Sequence, residues 1–451
     1  MAKSTAAASS KSGLNAISDA SASLSGMLAG SGVKVKGPEG VSVRSGLEAL
    51  AAAIWFAHLN EAARMYQQRY ATRDDIDAAM RFGCGYPVGP LRQLDAIGAD
   101  KAVAVLDALF EVSGDSRHRA SKALTDLVAA GTLGESTGSG FYEYSKPGST
   151  DVVPDDAVAP DTAQDAMLRT ISWVGVIGTG TMATGIVEVF AKAGYDVIYF
   201  ARSDRKVAKV RAALEKSLDR AVDKGKLNEQ ERNAIIARVS GTTKHEDLGV
   251  VDIVVEAVVE NLDTKQELFK TLDRVCKPGA ILATTTSSLS IKDLAAQTGR
   301  PADVIGMHFF NPAPIMKLVE VVSAPQTAPG VTKTVIELCK ATAKHPVLCG
   351  DRAGFIVNFL LFPYLNDAVR AVEASLTTIE EFDPLMKAWQ SLPLGPFSLL
   401  DVVGTDVSLA IEEVIHEAFP DPAYQPAPML EKIVANGKFG RKTGEGFLSY
   451  G

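Results

Sequence analysis

A parallel α/β domain flanked by two related all-helical domains is the fold this chain predicts, on three observations. The middle alternates short β-branched runs with amphipathic helices, the two ends share a repeated helical pattern, and a glycine-rich turn closes the first strand of the middle. At 451 residues the chain has room for about three cores of ordinary size.

The alternation runs WVGVIG and a helix over 181–193, DVIYFA and 204–222, DIVVEAV and 261–275, AILATTT and 290–297. Strands separated by a helix each time must cross over one face of the sheet, which makes them parallel neighbours. VIGMHFF and KLVEVV extend the sheet, giving a domain over 173–353.

The repeat is read by self-comparison. HLNEAAR at 58–64 resembles YLNDAVR at 364–370, an offset of 306. The same offset pairs Pro90 with Pro396, Asp95 with Asp401, Gly98 with Gly404, and TGSGFYEY at 137–144 with TGEGFLSY at 443–450. A register that holds without a gap defines two copies of one helical domain, over 43–145 and 354–451. Helical spacing in each is interrupted by a turn, GYPVGP or SLPLGP, and Pro363 is expected to bend the helix after Gly354. Residues 146–172, opening with a Pro-, Asp- and Ser-rich stretch, are expected to be a linker. The Ala/Ser-rich residues 1–42 are expected to be a flexible tail; they lack the apolar core of a secretory signal and have no arginine before Arg44.

Composition excludes several function classes. A formal net charge of −8 provides no general basic field, so nucleic acid is not an expected partner, and any anionic ligand must be met by local cations. No apolar run reaches the ~18 residues of a membrane span. Cys84, Cys276, Cys339 and Cys349 are scattered without C-x-x-C or histidine spacing, which reads as reduced thiols of a cytoplasmic protein and no metal.

GTGTMA at 178–183 follows the first strand and opens a helix, the context in which a G-x-G-x-x-G/A turn marks a Rossmann-type dinucleotide fold. Gly178 permits the tight turn, Gly180 lets backbone approach a pyrophosphate, and Thr181 and Met182 begin the helix whose N-terminus faces it. The methyl of Ala183 is expected to open the helix–strand contact slightly. An NAD site places an acid at the end of the second strand to bind the ribose 2′-hydroxyl. Here Ala201 stands there, followed by Arg202 and Ser203. A guanidinium grips a 2′-phosphate that a carboxylate would repel, so NADP(H) is the expected cofactor and NAD(H) the alternative.

GMHFFNPAPIMKLVEVV at 306–322 carries the chemistry. Glu320 lies within an apolar strand where a lone carboxylate is costly, and His308, twelve residues earlier, is the partner that one strand-turn-strand step would supply. Such a pair makes the imidazole a base for a hydroxyl proton. Asn311 follows close enough to donate to a reacting oxygen. Thr285, Thr286, Ser287 and Ser288 end a parallel strand on the side where α/β sheets bind ligands, or they cap the helix near Ser290. Asn358 is a lone amide on an apolar helix, needing either a ligand or a local backbone partner.

These motifs resemble the L-3-hydroxyacyl-CoA dehydrogenases, in particular the bacterial 3-hydroxybutyryl-CoA dehydrogenases. The resemblance runs continuously over 173–451, through VIGTGTMATGI, EAVVENLDTKQELF, TTTSSLSI, HFFNP followed by KLVEV, and KFGRKTGEGF. It implies that His308 is the acid/base, Glu320 its orienting partner, and Ser287 and Asn311 contacts of the substrate oxygen and nicotinamide. It further implies that Asn358 stabilises the site, Glu260 and Lys265 lie on the cofactor side, and Ser217 and Lys224 meet the coenzyme A arm of an acyl-CoA substrate. Three departures stand out. Ala201–Arg202 replaces the usual acid, Thr285 a common Asn, and WQSLPLGP in the second copy the family's G-x-G-Y-P, which the first copy keeps as GCGYPVGP. The first copy in turn has Ala52 where the offset places Asn358, so each copy retains what the other lacks. These enzymes commonly dimerise through the helical domain, so the expected assembly is a monomer with an internal pseudo-dimer, or a homodimer. Alternative readings keep the chemistry on 3-hydroxyadipyl-CoA or a free hydroxy acid, with Arg92, Arg441 or Lys442 pairing a distal carboxylate, or make the chain a non-catalytic relative.

Overall fold

The computed structural model describes residues 13–39, 42–154 and 167–451, and it forms two compact units, Ala159–Phe355 and Met1–Val158 with Ile356–Gly451.

The first unit is built on eight strands: β1 (Trp173–Ile177), β2 (Asp196–Phe200), β3 (Val239–Thr242), β4 (Ile253–Glu256), β5 (Ile281–Thr284), β6 (Val304–Phe309), β7 (Leu318–Ser323) and β8 (His345–Gly350). They lie in the order β3-β2-β1-β4-β5-β6-β7-β8. Neighbours are parallel except β6 and β7, which are antiparallel. The central strands β4, β5 and β6 are buried throughout, as a sheet covered on both faces requires. Val176, Val255 and Ile305 from the sheet share one core with Ile186 and Phe190 of the helix Thr181–Lys192 and Val335 of the helix Pro329–Ala341. The sequence pattern missed β3 and β8, which lie at the two edges. Their runs, VSGT and HPVLCG, are short, and Pro346 within β8 is tolerated because an edge strand has one side without a ladder.

In the second unit the helices Ser45–Gln67 and Val357–Glu373 occupy the centre; the latter runs on through Pro363. Both are buried along most of their length, including the polar residues His58, Asn60 and Glu61 of the first and Asn366, Asp367 and Arg370 of the second. Equivalent residues of the two copies make equivalent bonds. Asn60 donates to the carbonyls of Arg117 and Arg119 and accepts from Ser121 N; Asn366 donates to Gln425 O and accepts from Ala427 N. Asp95 accepts from Phe141 N and Tyr142 N, as Asp401 does from Phe447 N and Leu448 N. The repeat read in the sequence is therefore a repeat of joints as well as letters.

The copies pack on each other. His58 Nδ1 lies 3.0 Å from Leu360 O, and the Trp55 and Tyr364 rings meet edge-on with centroids 5.5 Å apart. Trp55 Nε1 donates to Gln93, whose amide donates to Gln390. The outer contacts are reciprocal in their acids only: Arg117 of the first copy forks onto Asp367 of the second at 2.6 and 3.1 Å, while Tyr424 of the second donates at 3.0 Å to Glu61, the equivalent of Asp367 in the first. Burial drives the His58 pKa down to about 4, against a weaker opposing pull from the Leu360 carbonyl.

Two boundary expectations change. Residues 13–39 are not simply tail: the helix Ser21–Gly30 buries Leu24 and Leu28, Ile17 is also buried, and Ser25 Oγ donates to Ser45 O. Their apolar residues are spaced for one helix face, a signal masked by the Ala/Ser background. The opening of the expected linker also folds back, with Ser145 N donating to Asp151 O and Arg92 to Thr150 O. Residues 1–12 and the linker stretch 155–166 lie outside the described residues. No helix among the described residues is long and apolar enough to cross a membrane.

Candidate active site

The C-terminal edge of the sheet carries the site. Gly178 has φ +138°, and a Cβ there would lie 2.3 Å from Ala257 O, so only glycine fits. Nothing stands within 4 Å of where a Gly180 Cβ would be, which leaves that backbone approachable. Gly180 caps the helix Thr181–Lys192, so the N–H groups of Thr181 and Met182 are free of intrahelical partners and point out of the turn. This cradle suits a pyrophosphate. Ala183 is fully buried. At the end of β2, Ala201 is buried, while Arg202 and Ser203 are exposed.

His308 on β6 stands directly opposite Glu320 on β7 in the antiparallel register. Its Nδ1 lies 2.7 Å from Glu320 Oε2. Glu320 is fully buried, and the imidazole, 7% exposed, is bordered by the rings of Phe310 and Phe355, so little water competes for this bond. The antiparallel step between β6 and β7 is what sets acid and base face to face.

The parallel register of β5 and β6 ends with Thr284 opposite Gly306; His308 lies two residues past Gly306 on β6, and Ser287 three residues past Thr284 after β5 ends. Ser290 caps the helix Ile291–Ala295, so the capping role falls to the last serine of TTTSSLS. Ser287 is half-buried and its N–H donates to Glu260 at 2.9 Å. Glu260 also accepts from the Thr286 hydroxyl and pairs with Lys265 at 3.2 Å. Burial raises the Glu260 pKa, but Lys265 and these donors outweigh it and hold the carboxyl below its ordinary value.

Lys265, 1% exposed, is held mainly by Glu256 at the end of β4, with both oxygens within 2.9 Å, and Glu256 accepts as well from Thr284 Oγ1 at 2.6 Å. Sequence reasoning placed Lys265 but missed Glu256; a glutamate ending an apolar strand, nine residues before a lysine, was the available signal. It also missed Lys344. The Lys344 ammonium donates to Ala313 O and Met316 O at 2.5 and 2.8 Å, and so ties down the loop that carries Asn311. The same loop sits on Gly185, where a Cβ would come within 2.9 Å of Pro314.

Ser217, half-buried, and exposed Lys224 lie seven residues apart along and just past the helix Asp204–Asp223, on one face. Asn358 belongs to the helical unit, buried in the first turn of Val357–Glu373. Arg92, Arg441 and Lys442 are engaged locally, with Thr150 O, the Tyr450 ring and Asp406. Burial pushes the Cys276 and Cys339 thiols up to about 11 and about 12, so neither is a nucleophile at neutral pH. No cluster of metal-ligating side chains occurs among the described residues.

A family model for the 3-hydroxyacyl-CoA dehydrogenase NAD binding domain matches residues 173–352, and the model for the C-terminal domain of the same family matches twice, over 50–144 and 354–450. The chain belongs to the 3-hydroxyacyl-CoA dehydrogenase family. As a member it is an oxidoreductase acting on a CH–OH group. It is 45% identical over 277 residues to 3-hydroxybutyryl-CoA dehydrogenase of Clostridioides difficile, covering 61% of this chain and 99% of that relative. It is 43% identical to human mitochondrial hydroxyacyl-coenzyme A dehydrogenase, over 62% of this chain and 91% of that one. The crystal structure of (S)-3-hydroxybutyryl-CoA dehydrogenase from Ralstonia eutropha aligns with a TM-score of 0.61 at 41% identity, covering 62% of this chain and all of that one. These matched lengths are those of one dinucleotide domain with one helical domain, so a second helical copy distinguishes this 3-hydroxyacyl-CoA dehydrogenase family member from such relatives.

Proposed function

We propose that the protein interconverts a short-chain 3-hydroxyacyl-CoA, 3-hydroxybutyryl-CoA in the first instance, with its 3-oxoacyl-CoA, and prefers NADP(H). The carrying observation is the His308–Glu320 contact of 2.7 Å on a sheet whose first strand ends in the glycine turn. Glu320 accepts the Nδ1 proton of His308 and leaves Nε2 as the basic nitrogen. Nε2 removes the substrate hydroxyl proton in oxidation and returns it in reduction. Hydride exchange at substrate C3 is the chemistry a bound nicotinamide supplies. Gly178, Gly180, Thr181 and Met182 would hold its pyrophosphate, Glu260 and Lys265 its nicotinamide side, and Arg202 with Ser203 a 2′-phosphate. Ser287, Asn311 and Asn358 orient the reacting oxygen, and Ser217 and Lys224 meet the coenzyme A arm. The local engagement of Arg92, Arg441 and Lys442 leaves those three cations no evident role toward a distal carboxylate.

The first helical copy, in this reading, stands in for the helical domain of a partner subunit. The use of the equivalent acids Glu61 and Asp367 as acceptors across the long-helix pair supports it, since a twofold interface brings the same patch of each half to the axis.

The test is the rate of nicotinamide absorbance change with acetoacetyl-CoA. Wild type should turn over faster with NADPH than NADH, Arg202→Asp should reverse that order, and His308→Ala should lose about 10²-fold or more in kcat with either cofactor. Undiminished turnover in the His308 variant would remove the acid/base assignment, and equal wild-type rates would remove the NADP preference.

A further inference from the structure

We infer that Lys244 is a second cation for the 2′-phosphate of NADP(H), acting with Arg202 across the ends of two neighbouring strands; this rests on the NADP reading above. Strands β2 and β3 are parallel with Val197 opposite Val239 and Phe200 opposite Thr242. The ladder goes one step further, Ala201 N donating to Thr242 O at 2.9 Å. Arg202 and Lys244 each lie two residues past the last pair of this register, Phe200 and Thr242.

Two contacts hold the chain there. Lys244 N donates to Thr242 Oγ1 at 3.0 Å, turning the backbone just after β3. The His245 imidazole then stacks on the Phe200 ring, centroids 3.9 Å apart and planes 22° from parallel, which pins the segment after β3 onto the end of β2. Lys244 sits between these two anchors, so its stem starts from a fixed point beside Ala201. That residue, a buried methyl, fills none of the space an acid would occupy.

Both cations are exposed, and neither forms an ion pair with a described residue. The acids nearby are Asp204, Glu246 and Asp247, and Asp247 is turned onto the Thr242 hydroxyl. In a chain of net charge −8, two unpaired cations at adjacent strand ends on the ligand edge of the sheet are matched to a dianion. A lone Arg202 would neutralise half of that charge.

The experiment compares kcat/KM for NADPH and NADH in wild type, Arg202→Ala, Lys244→Ala and the double variant, with calorimetric binding of 2′,5′-ADP against 5′-AMP as an equilibrium readout. Lys244→Ala should lower kcat/KM for NADPH about tenfold, the size of one charge-assisted hydrogen bond, and leave NADH within about twofold. 2′,5′-ADP should weaken in parallel while 5′-AMP does not. Unchanged NADH kinetics also show that the variant is folded. A wild type indifferent to the 2′-phosphate would overturn the NADP reading and this inference together. A wild type that prefers NADPH, loses the preference in Arg202→Ala and keeps it in Lys244→Ala would overturn the inference alone.

Discussion

In the first helical copy the long helix Ser45–Gln67 carries Ala52 where, 306 residues later, the second copy has Asn358; both side chains are buried. Further along the same helices, Asn60 and Asn366 make the same buried bonds to the turn that follows, and Arg64 and Arg370 both donate into that turn. Elsewhere the pattern inverts. Glu412 and His416 of the second copy, with no hydrogen-bond partner at the Glu412 oxygens or His416 Nδ1, fall where the first has Leu106 and Phe110. The copies share the joints at Asn60/Asn366 and Asp95/Asp401 that close the helical fold, and they diverge at Ala52/Asn358, the position proposed above for chemistry, as well as at Leu106/Glu412 and Phe110/His416.

Removing the first copy is the harshest way to break the comparison. A chain lacking residues 1–150 exposes the apolar sides of Leu361, Tyr364 and Leu365, and it should aggregate or lose activity; size exclusion and turnover measure this, and a soluble, fully active remnant would show that the copies do not depend on each other. Next comes the pair of outer contacts. Arg117→Met leaves buried Asp367 with only Arg370 at 3.9 Å and should cost about 3–5 kcal/mol in urea denaturation, whereas Tyr424→Phe, which removes one bond to Glu61, should cost about 1 kcal/mol.

His58 gives the comparison a pH axis. Its folded pKa of about 4 lies below the unfolded value of 6.5, so between those limits the unfolded chain binds a proton that the folded chain refuses. His58 therefore adds no penalty above pH 6.5 and destabilises progressively as pH falls toward 4, by about 3 kcal/mol at the lower end. His58→Phe should flatten that part of the stability profile; an unaltered profile would show that the imidazole is protonated inside the fold. The divergent position itself bears on activity rather than stability. Asn358→Ala should lower kcat about 10²-fold, or about 2.7 kcal/mol of barrier, and Ala52→Asn should leave kcat unchanged.

The glycine turn, the repeat and the His308–Glu320 pair were legible because each rests on a short-range rule: a turn that only glycine fits, a fixed offset, a carboxylate that an apolar strand cannot hold alone. The edge strands β3 and β8 were not, because an edge needs only one partner and so tolerates the polar and proline-containing runs that argue against a strand. The packed N-terminal helix was hidden for a different reason, its few buried leucines being diluted among alanine and serine. Lys265 was assigned to the cofactor side, yet its strongest contact is Glu256, a pairing set by the turn from β4 into the helix Leu262–Val275. Lys344 reaches back some thirty residues to the Asn311 loop, a separation at which no local pattern operates.

The Arg117–Asp367 bond has no mirror image, since the equivalent of Arg117 is Ala423. When two identical polypeptides associate, any substitution appears on both sides of the axis, and a charge introduced on one side meets its own duplicate. Here the halves belong to one gene product, so each can be altered without altering the other. The tether also keeps the local concentration of one half about the other in the millimolar range or above, so diluting the enzyme should not separate them.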